Sequence, residues 1–163
     1  MPHAPHVAGT GAVRVQTADF DVAAELAVLR AESVGAIVCF VGTVRDMNEE
    51  STVFQMELEH YPGMTEKVLH DIVAQAKARW DIVGVRIVHR VGVLVPADQI
   101  VLVAVSAAHR KDAFPACGFV VDSLKAQAPL WKKEERDSGV CWVSAKESDQ
   151  LAAQHGHNEK EIA

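Results

Sequence analysis

The chain has 163 residues, 49% hydrophobic and 23% charged, with a formal net charge of −6. That length suits one domain, and the composition is that of a globular protein in water. The acidic balance excludes a general nucleic-acid binder, which needs a basic face, and no apolar run reaches the roughly 18 residues of a membrane span.

The first residues, MPHAPHVAGTG, lack a basic segment followed by an apolar core, so residues 1–15 are read as a flexible leader, not a secretory signal. Cys39, Cys117 and Cys141 are too far apart for a zinc motif, and no metal site or cofactor is expected. An odd number of cysteines without a signal points to reduced thiols and a cytoplasmic location. Each lies in an apolar run and is expected in the core.

Residues 16–150 are read as one catalytic domain and 151–163 as a polar tail. Asp21 is a candidate N-cap for a helix over VAAELAVLR, with Val22, Leu26 and Leu29 on one face. GAIVCFVGTV is nearly all apolar and reads as a buried strand. Residues 52–61 alternate, placing Phe54, Met56, Leu58 and His60 opposite Val53, Gln55, Glu57 and Glu59. Pro62-Gly63 is a turn, and MTEKVLHDIVAQAKARW carries a helical stripe. VGVRIVHRVGVL reads as a strand bent at Gly92, and QIVLVAVSAA as a second buried strand. A helix from Arg110 to Gln127 follows, with Phe114, Val121 and Leu124 on one side and Pro115 in its first turn. After Pro129, WKKEER and VCWVSA flank a hairpin at Asp137-Ser138-Gly139. The order α-β-β-α-β-β-α-β-β predicts an α+β fold with largely antiparallel pairing.

His109-Arg110 opens the third helix, where free N–H groups and the helix dipole favour an anion such as a phosphate or carboxylate. Lys125 lies late in that helix, where a lysine also complements the negative helix end. Lys132 comes past the proline, beside Trp131, which is either core or a wall for a flat ring. A lysine in an apolar wall loses solvation and becomes available as a base or nucleophile. Lys133 points the other way in an extended segment and is read as a surface charge. Arg45 closes the first apolar strand, a favoured place for a binding group, and Phe40 is a candidate pocket wall. Glu57 and Glu59 lie on the opposite face to His60, which argues against a metal site there.

Taken in order, GAIVCFVGTVRD, LEHYPGMTEK, HRVGVL, SAAHRKDAF, LKAQAPLWKKE and the ESDQ near the end resemble the large, catalytic subunit of molybdopterin synthase. The likeness covers about residues 35 to 150. It implies an α/β hammerhead-like fold with an additional antiparallel sheet, and a homodimer within a heterotetramer. The partner it implies is a small ubiquitin-like sulfur carrier whose C-terminal Gly-Gly thiocarboxylate donates sulfur. The implied substrate is cyclic pyranopterin monophosphate (precursor Z), which becomes the molybdopterin dithiolene. By motif, Lys125 and Lys132 match the family's active-site lysines, and Arg45, His109 and Arg110 its substrate-binding residues. Lys146 stands where some members carry arginine, keeping the charge but losing the bidentate fork. Two other functions compete with this one: a non-catalytic adaptor for a ubiquitin-like tail, and a thiol transferase using Cys117.

Overall fold

The two long apolar runs lie side by side as antiparallel strands, Ala36 opposite Ala107 and Val41 opposite Leu102. The computed structural model describes residues 11–48 and 51–144. In chain order the elements are β1 (Val13–Gln16), α1 (Val22–Ala27), β2 (Ala36–Thr43), β3 (Met47–Asn48), β4 (Ser51–His60) and α2 (Met64–Arg79). Then come β5 (Ile82–Arg90), β6 (Gly92–Leu94), β7 (Gln99–Ala107), α3 (Arg110–Gln127), β8 (Leu130–Arg136) and β9 (Gly139–Ser144). One sheet has the order β1-β5-β7-β2, and the other runs β3-β4-β8-β9 with β6 also on β4. All pairs are antiparallel except β1 with β5. The expected α+β class, with an added antiparallel sheet, is what the chain forms. None of the described helices is long and apolar enough to cross a membrane.

The main core lies on one face of the first sheet. Ile87, Val103 and Val105 meet Leu69, Ile72 and Ala76 of α2, Ala116 and Val120 of α3, and Met56, Leu58 and Leu130 of the second sheet. Each large side chain so buried stabilises the fold by about 1.5–3 kcal/mol before entropy is counted. The other face carries a smaller cluster of Phe20, Leu29, Val88, Leu102 and Ala104, with Val22 and Leu26 against it. The Asp21 side chain accepts from the Ala24 N–H, 3.0 Å away, so the predicted N-cap forms.

Four local expectations change. The leader assigned to 1–15 overlaps β1, whose Val13 pairs with Ile87; a four-residue parallel strand is too short to announce itself by period. GAIVCFVGTV is an edge strand, so most of it is only half-buried, and Cys39 is exposed rather than core. A bulge between Val53 and Gln55 buries Val53 and turns Phe54 outward, where it is 55% exposed. On α3 the buried stripe is Ala113, Ala116, Cys117, Val120 and Leu124, and Phe114 is 63% exposed. The small residues face inward there because the helix lies across β7 and β2.

Gly92, with φ +91°, is the bend between β5 and β6. One continuous stretch of chain thereby serves both sheets, and His89 is held where they meet.

Candidate functional site

The junction of the two sheets and the last turn of α3 encloses a cleft of about 180 Å³. β2 supplies Phe40, Gly42 and Thr43, β4 supplies Met56 and Leu58, and β5 supplies His89. Leu124 and Lys125 enter from α3, and Leu130 and Lys132 from β8. The walls are apolar because these strands turn their core-facing side chains inward. A Cβ on Gly42 would sit 2.9 Å from Val101 Cγ1 and 3.5 Å from the Phe40 ring, so glycine keeps this wall open. Phe40, Lys125 and Lys132, picked from sequence, thus come together from three different elements.

Lys132 is not an isolated cation. Its Nζ lies 2.9 Å from Glu134 Oε1, and Arg136 Nη2 and Nε lie 2.5 and 2.6 Å from Glu134 Oε2. Residues two apart in a strand share a face, so the three charges form one row along β8. Glu134 is 1% exposed, and such a carboxylate needs cations on both oxygens to be tolerated. Lys133 lies on the opposite face, its ammonium 5.3 Å from the Trp142 ring centroid. The sequence reading missed Glu134, although the period that separates Lys132 from Lys133 also places Glu134 beside Lys132.

His89 was missed too. It is 4% exposed, and its Nδ1 lies 2.8 Å from the Arg90 carbonyl oxygen. Burial lowers its pKa to about 4; the Arg90 bond opposes that fall, and the charges of His60 and Lys125 add to it. The ring is therefore neutral at physiological pH. The signal available was a histidine at a core-facing position of an apolar strand.

The other expected residues lie elsewhere in this chain. His109 and Arg110, with Lys111, border a separate surface depression at the start of α3. His109 is the N-cap but caps nothing with its side chain, so three cationic-capable side chains surround free N–H groups. Arg45 is exposed just beyond β2 and is not among the cleft residues. Lys146 lies outside the described residues. Cys117 is buried behind the cleft, and its thiol donates to the Val103 carbonyl oxygen at 3.8 Å. Burial pushes that thiol up to about 11, with Cys39 adding to the rise, so it is no thiolate nucleophile at neutral pH. Cys141 is half-buried.

Residues 15–127 match the family described as MoaE protein. The chain belongs to the MoaE family. It is 56% identical over 142 residues to the molybdopterin synthase catalytic subunit of Ralstonia nicotianae, covering 86% of this chain and 81% of that one. The crystal structure of molybdopterin synthase from Staphylococcus aureus is similar with a TM-score of 0.78 at 31% identity, covering 83% of this chain and 99% of that one. A Helicobacter pylori chain, from a complex of subunits 1 and 2 of molybdopterin-converting factor, has a TM-score of 0.67. It is 19% identical over 84% of this chain and 92% of that one, and it shares the fold. The family match spans β2, β4, β5 and α3 of the cleft and ends just before β8, which supplies Leu130 and Lys132.

Proposed function

We propose that this chain is the catalytic subunit of a molybdopterin synthase, a sulfurtransferase. It moves sulfur from the thiocarboxylated C-terminus of a small ubiquitin-like carrier to precursor Z, twice per dithiolene. The observation that carries the reading is the convergence of Lys125 and Lys132 with Phe40 on one apolar cleft. A relative 56% identical bears the name of that catalytic subunit.

The chemistry follows from the residues. The thiocarboxylate is anionic and attacks through sulfur, so its approach is favoured by fixed cations in a site with little water. The narrow apolar cleft admits an extended glycine tail and brings it to two ammonium groups. Attack on the pterin, and later hydrolysis of the acyl group by water, both require proton transfers. Lys125 is placed to hold or move such a proton. Lys132, locked to Glu134, acts as a fixed cation. Phe40 offers a flat apolar surface to the pterin.

The phosphate end of the substrate needs further cations. α3 rises about 1.5 Å per residue, so Arg110 and Lys125 are roughly 22 Å apart along it. One protomer cannot place both on one pterin. In a homodimer, His109 and Arg110 of one protomer complete the cleft of its partner, and Arg45 and Lys146 are further candidate cations for the phosphate. A carrier on each protomer gives a heterotetramer. We assign the catalytic unit to residues 16–150 and the location to the cytoplasm, in keeping with free thiols on all three cysteines.

The test is reconstitution. The protein is mixed with thiocarboxylated carrier and precursor Z, and dithiolene is followed as it forms. Product dependent on Lys125 supports the reading. Carrier binding without product makes the chain an adaptor, and product lost on Cys117→Ala makes it a thiol enzyme.

A further inference from the structure

We infer that two surfaces of this chain fit each other across the dimer: Lys111 and Phe114 of one protomer seat in a socket of its partner, formed by Tyr61, Trp131, Trp142 and the Glu59 carboxylate. The contact carries the neighbouring His109 and Arg110 to the partner's cleft. It deepens the shared-site reading and rests on it for that delivery, but not for the contact itself.

The socket is an open depression of about 540 Å³ where β4 ends and β8 begins. It gathers two of the three tryptophans and the single tyrosine of the chain. Trp131, Trp142 and Tyr61 are 45, 55 and 56% exposed, which is costly apolar surface for a chain that stays alone. Among the described residues the one close ring pair is Trp80 with Phe119, so the socket rings keep their faces free. Strand register brings them together. Glu59 stands opposite Trp131, and Trp142 opposite Lys133, so these side chains share one face of the sheet. Lys133 has Glu57 across the ladder, whereas Glu59 has a ring. Glu59 makes no ion pair among the described residues. His60, the remaining wall, is 3.5 Å from Glu66 and already has its carboxylate.

The corner at the start of α3 has the opposite character. His109, Arg110 and Lys111 are exposed around its free N–H groups. Phe114 lies three residues past Lys111, on the same helix face, and is exposed. Lys111 makes no ion pair among the described residues. A phenyl ring and an ammonium at that spacing suit an aromatic box with one free carboxylate. The ring packs against the indoles, and the ammonium takes the carboxylate and a π face.

The occupant is a second copy because both surfaces belong to one chain. A two-fold axis then makes the contact twice, corner on socket and socket on corner. Eight half-exposed rings withdraw on the order of 900 Å² from water, most of the roughly 1,200 Å² that a stable interface needs. Position agrees. Trp131 and Lys132 are consecutive on β8, so socket and cleft are two sides of one strand. A protomer anchored by Phe114 carries its Arg110 about 6 Å along the helix from that anchor. The carrier tail needs the cleft side of β8, which leaves the socket side to the second copy.

The experiment reverses charges. Glu59→Lys and Lys111→Glu proteins are prepared separately, and sedimentation equilibrium reads the dimer dissociation constant. Each alone sets like charges together at both contacts and is expected to dimerise at least about tenfold more weakly than wild type. Mixed one to one, they form a heterodimer with one native contact and one reversed contact, both complementary. Its dissociation constant is expected within about threefold of wild type. Phe114→Ala and Trp142→Ala are expected to weaken the dimer about tenfold or more with unchanged far-UV circular dichroism, since both side chains are exposed in the protomer. Charge variants as tight as wild type, or a mixture as weak as its components, overturn the inference. So does tight dimerisation of every variant with loss of small-subunit binding, which gives the socket to the carrier. A dimer that follows the charges but makes no dithiolene sinks the sulfur-transfer reading alone.

Discussion

Lys132 Nζ lies 2.9 Å from Glu134 Oε1, and that carboxylate is 1% exposed. The pair couples the stability of β8 to the geometry of the cleft. Removing Glu134 leaves Lys132 and Arg136 together without the anion between them. Glu134→Ala is expected to destabilise the fold by about 3–5 kcal/mol, the cost of leaving buried charge uncompensated. Lys132→Ala is expected to cost less, because Arg136 stays on Glu134. Urea unfolding of the two variants checks the order. Equal losses would mean that Arg136 does not hold the carboxylate alone.

The lysines differ by face. Lys125→Ala and Lys132→Ala are each expected to slow sulfur transfer at least about tenfold, or about 1.4 kcal/mol of transition-state stabilisation. Lys133→Ala is expected to change it little, since its ammonium sits over Trp142 on the far side of the sheet. Steady-state rates with thiocarboxylated carrier read all three. A dispensable Lys132 beside an essential Lys133 would contradict the register of β8.

Stability should carry the mark of His89. Its folded pKa, about 4, lies below the ordinary 6.5 because burial disfavours the charged ring. Between those values the unfolded chain binds a proton that the folded chain refuses. The contribution is therefore complete above about pH 6.5, is lost as pH falls towards about 4, and amounts to about 3 kcal/mol. His89→Gln is expected to remove that part of the acid sensitivity. Chemical denaturation at pH 7.5, 5.5 and 4.5 follows the difference. Parallel curves for variant and wild type would show that the ring is not held neutral.

Much of this was legible because period and chemistry agree. Alternation separated Lys132 from Lys133, and the long apolar runs announced β2 and β7. What escaped depended on contacts far apart in sequence. β1 takes its stability from β5, about seventy residues on, and has no signature of its own. The Val53–Gln55 bulge reversed one residue of a pattern that looked continuous. Cys39 looked like core because an apolar edge strand and an apolar central strand read alike. His89 and Glu134 were passed over because a lone histidine or glutamate says nothing until its burial is known.

The thiols should prove inert. Cys117→Ala is expected to retain most activity and to cost about 1 kcal/mol, typical of a single core change. Its thiol, pushed up to about 11 by burial, is not ionised at neutral pH. Turnover with ³⁵S-labelled carrier provides the check, and label on any cysteine of this chain would contradict it.

We place the reaction site between one protomer's cleft and the His109-Arg110 corner of its partner. Subunit exchange tests it most directly. His109→Ala and Lys125→Ala proteins, each nearly inactive alone, are mixed until their subunits exchange. A mixed dimer then holds one site with both residues and one with neither. Sulfur transfer is expected to reappear, at up to about half the wild-type rate per mixed dimer, since one of two symmetric sites is restored. Confirmed exchange with no return of activity would contradict it, placing both residues in a site within a single protomer.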